Sequence, residues 1–242
     1  MSEWWQEPYR GGPMVPVPGL PRELHVGDPD GPDAVAYKRT VWRGCRWQGP
    51  ASRFDDSYLG TPPWDIGRPQ PAFVRLADDG ALRGTVLDVG CGTGEHALMA
   101  AARGFDAVGV DDSPRAIERA RAKAAERGLD VEFVVADALD LGALGRTFDT
   151  VLDCGLFHVF DDKERARYVE SLADAVGAGG RFDMLAFSDL APGAFGPRHL
   201  REDEIRSSFA DAWRIVSLER TALEIVIRPG TIPAWLAVVE RT

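Results

Sequence analysis

An acid, three glycines and two small residues stand together in Asp88-Val89-Gly90-Cys91-Gly92-Thr93-Gly94, after the apolar run Val86-Leu87 and before Glu95-His96-Ala97-Leu98. Glycines at alternate positions leave backbone N–H groups uncovered. A helix that begins there adds the positive end of its dipole. N–H groups hold a carboxylate and Asp88 suits an ammonium, so the corner fits the zwitterionic end of an amino-acid-bearing nucleotide. Further acids follow at the ends of apolar runs. Asp111, 21 residues after Gly90, has two oxygens for two ribose hydroxyls, and the side chain of its neighbour Asp112 should point the other way. Asp137, followed by Ala138, can accept from an adenine amino group, and Asp153-Cys154 ends the next run beside the reactive end of such a ligand.

Two chemistries compete for this corner. Dinucleotide-binding turns carry G-x-G-x-x-G, but here the third glycine comes one position early and Glu95 stands where it would fall. The run D-x-G-x-G-x-G instead resembles the first motif of class I S-adenosylmethionine (SAM) dependent methyltransferases. That resemblance implies SAM as cofactor, S-adenosylhomocysteine as product and no metal. It carries donor binding onto Asp88, Gly90, Cys91, Gly92, Gly94, Asp111, Asp112, Asp137, Ala138 and Cys154. His96, in the first turn of the helix after the glycines, is read as shaping the same pocket.

The likeness narrows with a second set of residues. Tyr58-Leu59-Gly60-Thr61-Pro62-Pro63-Trp64-Asp65-Ile66-Gly67-Arg68-Pro69 looks like the lid of small-molecule methyltransferases of the thiopurine and halide/thiol type. Asp149 to Phe160, Phe187-Ser188-Asp189 and Gly196-Pro197-Arg198 continue the match, which runs from about Phe54 to the C-terminus. In those relatives the Trp-Asp-x-Gly segment closes over donor and substrate. Trp64 could therefore present a π-face to the sulfonium or the acceptor while excluding water, or simply pin a cap to the body.

The elements that must position these residues follow from periodicity and punctuation. Val86–Val89, Ala107–Val110, Val131–Ala136, Phe148–Leu152 and Arg181–Phe187 read as strands. Between them lie helices over Glu95–Arg103, from Ser113-Pro114 to Gly128, and over about 162–176 with Tyr168, Val169, Leu172 and Val176 inward. A short helix over Glu202–Ala210 precedes two strand-rich stretches, Ile215–Ile227 and Ala234–Val239, joined at Pro229-Gly230. A parallel βα series ending in a hairpin puts one antiparallel strand into the sheet. The expected fold is α/β, a Rossmann-like seven-stranded sheet with an N-terminal cap. Its divisions are a Pro/Gly/Trp-rich extension over 1–53, a cap or lid segment over 54–84 and the SAM-binding domain over 85–242. The extension, with Trp4, Trp5, Trp42 and Trp47, reads as a surface-hugging cap or as an arm for a partner subunit, which keeps a homodimer open.

Bulk properties bound the function. A formal charge of −10 counts against nucleic acid as partner, because polyphosphate binding rests on cationic surface. The place where nucleic-acid amino-methylating relatives carry Asn/Asp-Pro-Pro-Tyr/Phe reads Asp153-Cys154-Gly155-Leu156. The cluster Arg115, Arg119, Arg121, Lys123 and Arg127 reads as the solvated face of one helix, interleaved with Glu118 and Glu126. The 3 cysteines lie far apart, which argues against a disulfide framework or a CxxC metal site. No apolar run reaches the roughly 20 residues of a membrane span, and the N-terminus lacks a basic start and an apolar h-region. These features make a cytoplasmic enzyme with a small-molecule substrate, and no membrane partner, the expectation.

Methyl transfer from a sulfonium is an in-line displacement on an activated carbon, so alignment and exclusion of water do most of the work. A thiol needs little help at neutral pH, whereas a phenol profits from a base. His158 and His199 are the candidate bases, each with a packed or solvent-facing role as the alternative. Phe157, Phe160 and Phe195 would make the acceptor site apolar, and Trp64, His158 and Arg198 complete the expected acceptor contacts. The expectation is methylation of the sulfur or oxygen of a small apolar or aromatic metabolite. An N-methyltransferase and a SAM-binding protein without turnover are the alternatives.

Overall fold

A computed structural model describes residues 54–191, 197–210, 212–227 and 230–242. Readings that fall on 1–53, Phe195 and Pro229 lie outside the described residues. Among the described residues seven strands form one sheet: β1 (Thr85–Val89), β2 (Asp106–Asp111), β3 (Glu132–Val135), β4 (Phe148–Cys154), β5 (Val176–Phe187), β6 (Trp213–Glu224) and β7 (Thr231–Arg241). Their order is β3-β2-β1-β4-β5-β7-β6. The pairs from β3 through β5 are parallel, while β7 runs antiparallel to both of its neighbours. The expected Rossmann-like sheet with one reversed strand is therefore present.

Among the described residues five α-helices flank it: α1 (Pro71–Asp78), α2 (Glu95–Ala102), α3 (Pro114–Arg127), α4 (Asp162–Ala175) and α5 (Glu202–Ser208). Alternate residues of the central strands serve opposite faces. On one face Leu87, Val89, Val151 and Met184 pack with Tyr168 and Leu172 of α4 and with Ile205 of α5. On the other, Val86, Leu152 and Leu185 meet Phe73 of α1 and Met99 and Ala100 of α2.

Helix boundaries follow local chemistry. The Ser113 hydroxyl accepts the Ala116 N–H with Pro114 next in line, and α3 stops at Gly128 in the left-handed region. Asp161 and Glu164 close a reciprocal capping box at the start of α4. Two sequence expectations shift here. Val176 is the first residue of β5 rather than the last inward residue of α4, and Val169 is only partly buried. Helix α1 was not anticipated; its proline sits in the first turn and only Ala72 and Phe73 are buried, a signal too short to stand out.

Candidate active site

The glycine corner is bent by backbone conformation. Gly90, Gly92 and Gly94 have φ of 66°, 53° and 86°, in the region that side chains resist. Two of the three face the cavity, and the third does not. A Cβ on Gly90 would lie 3.0 Å from Leu156 and one on Gly92 2.8 Å from the Tyr58 hydroxyl oxygen. A Cβ on Gly94 would strike the Phe133 ring at 2.6 Å, so this glycine serves close helix–strand packing and not, as expected, the ligand wall.

The cavity measures about 650 Å³ and opens past the C-terminal ends of β1, β2 and β4. Its floor includes Gly90, Cys91 and Gly92, with Asp111, Asp112 and Cys154 from the neighbouring strand ends. Asp111 also braces the turn: its carboxylate accepts the Gly92 N–H at 2.8 Å and the Ser113 N–H at 2.9 Å. Asp112 lines the cavity beside it instead of pointing away as expected. Asp137 and Ala138 line the same space. Asp137 also accepts the Leu139 N–H at 2.8 Å, so it caps a turn as well.

Asp88 departs from expectation. It is 1% exposed and is absent from the cavity wall. One oxygen accepts the Ala97 N–H at 3.1 Å, which fixes the first turn of α2, and the other has no hydrogen-bond partner. His96 Nδ1 lies 3.8 Å from that oxygen, too far for a hydrogen bond. His96 lines the cavity as expected, and its Nε2 accepts the Gln70 N–H at 3.1 Å. Burial pulls this imidazole down to about 4, so it is neutral at pH 7. Burial pushes Asp88 up to about 7, with the Ala97 N–H opposing. Burial likewise raises Asp111 to about 7, against the Ser113 and Gly92 N–H groups.

Residues 54–70 cover the corner. Trp64 lines the cavity, donates from Nε1 to the Tyr58 hydroxyl at 3.2 Å and stands edge-on to Phe54 and Tyr58. Asp65 accepts from Thr93 Oγ1 at 3.0 Å, and Asp55 accepts from Ser113 Oγ at 2.6 Å. The Gln70 side chain pairs with both backbone groups of Glu224 on β6. The basic face of α3 is an anchor and not simply solvated, as the sequence suggested. Arg115 pairs with Asp55, Arg119 donates to Gly60 O at 2.7 Å, and Arg121 to Phe133 O at 2.6 Å. Lys123 and Arg127 clamp Glu95 at 2.7 and 2.8 Å.

The end of β4 forms the other side. Buried Asp153 accepts the Leu156 N–H at 2.8 Å, the Phe157 N–H at 3.1 Å and the Tyr168 hydroxyl at 2.9 Å. This turns the chain so that Leu156, His158, Val159 and Phe160 reach the cavity. Phe157 turns away into the core, stacked on Phe209 with ring centroids 5.5 Å apart, so it is not an acceptor contact. His199 is absent from the wall and packs edge-on to Phe187. Arg198 is likewise displaced from its expected role: its guanidinium pairs with Asp162 and Glu204.

His158 lines the cavity, but its Nδ1 accepts the Phe187 N–H at 2.9 Å. Burial, with the field of His199 adding to it, holds the ring down at about 3. The neutral ring therefore carries its proton on Nε2, which is the wrong tautomer for a general base. Sequence reasoning also missed Leu223 and Ile225, at and just past the end of β6, which add apolar wall. Their alternation was visible, but nothing in it pointed to the cavity. Among the described residues no group of three or more His, Cys, Asp or Glu side chains could hold a metal ion.

A sheet of this order, with a glycine turn and acids at successive strand ends, defines a nucleotide-handling α/β protein whose ligand lies at the carboxyl edge. The model of a methyltransferase domain matches residues 86–180. The chain is 38% identical over 173 residues to the 2-heptyl-1-hydroxyquinolin-4(1H)-one methyltransferase of Mycobacteroides abscessus, covering 67% of this chain and 76% of that one. A probable thiol methyltransferase of Arabidopsis thaliana is 28% identical over 130 residues, covering 53% of this chain and 58% of its own. A solved structure concerned with conversion of a disulfide bond into a thioacetal group during echinomycin biosynthesis superposes with TM-score 0.72. It is 38% identical and covers 79% of this chain and 93% of that one. The chain belongs to the class I SAM-dependent methyltransferase family. It is a SAM-dependent methyltransferase.

Proposed function

We propose that the enzyme methylates the sulfur or oxygen of a small aromatic or apolar metabolite. The observation that carries this reading is a single cavity whose wall combines the glycine turn and strand-end acids with a set of apolar side chains. The apolar set is Leu156, Val159, Phe160, Phe187, Leu223 and Ile225, and the charged Lys163, Glu164 and Arg167 border the same space. A space of about 650 Å³ lies within the range of small-molecule sites. The named acceptors of relatives, a hydroxyquinolone and thiols, are of the same kind.

The glycine turn and the strand-end acids fit SAM. Gly90 and Gly92 border the cavity in a positive-φ turn so close to Leu156 and Tyr58 that a Cβ would push them, and buried Asp88 keeps an unpartnered oxygen behind the turn. In this reading Gly90, Cys91 and Gly92 hold the amino-acid end, Asp111 and Asp112 the ribose, and Asp137 and Ala138 the adenine, with Cys154 beside the sulfur. Bound SAM supplies an activated methyl carbon on a sulfonium. The chain's own contribution is to fix the acceptor in line, with Trp64 and the rest of the covering segment excluding water.

The test is turnover: purified enzyme, SAM and a panel of thiols, phenols, N-hydroxy heterocycles and amines, with S-adenosylhomocysteine as readout. Methylation of S or O acceptors is expected. Methylation confined to amines overturns the choice of atom, and SAM binding without product from any acceptor points to a non-catalytic SAM protein.

Donor affinity should also depend on pH. Asp88 and Asp111, raised to about 7 by burial, bind protons that a cationic donor displaces. Affinity then falls as pH drops from 8 through 7, by roughly tenfold at pH 6 where one carboxyl must be ionised. His96 and His158, held at about 4 and 3, stay neutral throughout that window and do not contribute. Calorimetry at pH 6, 7 and 8 checks this, and a dissociation constant unchanged across the series contradicts it.

A further inference from the structure

We propose that His158 is a fixed hydrogen-bond donor that selects acceptors carrying a second heteroatom conjugated to the nucleophilic one. This deepens, and rests on, the small-molecule methyltransfer reading. Three observations carry it. Nδ1 is occupied by the Phe187 N–H at 2.9 Å, and that N–H belongs to a sheet strand that cannot turn away. The ring is 4% exposed, lies 4.4 Å from the Phe187 ring and borders the cavity. Among the described residues no protein group accepts from Nε2. Gly155, at φ 80°, lies on that side of the ring: a Cβ there would stand 3.5 Å from Nε2 and narrow the approach that glycine leaves open. The titratable side chain whose field reaches the ring is His199.

A donor aimed at the nucleophilic atom itself would hold back its lone pair. The N–H serves the reaction when it binds another atom of the acceptor. Thioamide-like, hydroxamate-like and vinylogous heterocycles have that form, since loss of their proton spreads charge over two heteroatoms. The proton goes to solvent before the anion binds. One end of the anion then takes the Nε2–H bond, and the other attacks the methyl carbon as the sulfonium S–CH3 bond breaks and its electron pair stays on the departing thioether sulfur. A site that donates a buried hydrogen bond rejects analogues lacking the matching acceptor atom more strongly than an apolar wall can.

The test compares 2-mercaptopyridine and 4-mercaptopyridine with thiophenol, three thiols of one size, in wild-type, His158→Asn and His158→Gln enzymes. The Asn carbonyl can take over the Phe187 N–H, so only the Nε2 donor is lost, whereas Gln reaches far enough to present an amide N–H. For at least one mercaptopyridine, kcat/KM should fall tenfold or more in His158→Asn and recover in part in His158→Gln. The thiophenol value should change by under threefold. Equal loss for all three thiols, or no loss, overturns the proposal and leaves His158 a packing residue. SAM affinity, read by calorimetry, verifies that each variant is folded. If the wild-type enzyme turns over none of the three thiols, that bears on the acceptor it prefers and not on His158. The inference is then read from thiol affinity in the presence of S-adenosylhomocysteine, where the same ranking supports it and identical affinities in wild type and His158→Asn reject it.

Discussion

Replacing Gly92 with alanine should weaken SAM binding by tenfold to hundredfold, and removing the Tyr58 hydroxyl in the same chain should restore part of the loss. Two costs arise from one methyl group. Gly92 has φ 53°, where a side chain costs roughly 1–2 kcal/mol. The new Cβ would also lie 2.8 Å from the Tyr58 oxygen, closer than such contacts allow. That phenol cannot step aside cheaply, because it is buried and accepts from Trp64 Nε1. Either the covering segment lifts or the turn shifts, and both spoil the surface that the donor's amino-acid end needs. A loss of about 1.4 to 2.8 kcal/mol corresponds to the stated range. In Gly92→Ala/Tyr58→Phe the nearest ring atom is 3.8 Å away, an ordinary contact, so only the backbone cost remains. Calorimetric titration of the single and double variants separates the two costs. An unchanged affinity in Gly92→Ala removes the glycine turn from the donor site.

Asp153→Ala should be the most destabilising single change at the site. It leaves the Leu156 and Phe157 N–H groups and the Tyr168 hydroxyl without their acceptor in a buried place. Unpaired buried donors cost about 1–3 kcal/mol each, and relaxation around the missing carboxyl recovers some of that. A net loss of about 3 kcal/mol lowers Tm by roughly 6–12 °C for a chain of this size. The damage also reaches function, because these bonds make the turn that aims His158 and Phe160 at the cavity while Phe157 anchors it in the core. Acceptor KM should therefore rise more than the SAM dissociation constant. Thermal unfolding and steady-state kinetics on one preparation check both parts. A Tm within 2 °C of wild type shows that the carboxylate is dispensable.

How much of this was legible in the sequence differs from element to element. The glycine turn was legible because its requirement is local: positive φ and uncovered N–H groups are properties of glycines at given positions. The strand ends were legible for the same reason, since apolar runs closing on Asp111, Asp137 and Asp153 mark both the strand and its polar tip. The reversed β7 followed from a chain that ends in two strand-rich stretches with no helix between them.

Where a side chain's role depended on a partner distant in the chain, sequence alone did not decide it. Arg198 looked like an acceptor contact until Asp162 and Glu204 claimed its guanidinium. The cations of α3 looked solvated, yet they tie down Asp55, Gly60 and Glu95. Phe157 and Phe160 sit three residues apart in the chain, and only the Asp153 turn sends one to the core and the other to the cavity. His158 could read as a base by residue type, but the Phe187 N–H, 29 positions away, settles which nitrogen holds the proton. Amino-acid order determined the backbone path and the class of ligand, because those follow from short-range sterics and hydrophobic period. Protonation, pairing and direction were left to the tertiary structure, because each is set by the nearest polar group in space, and for these residues that group comes from another element.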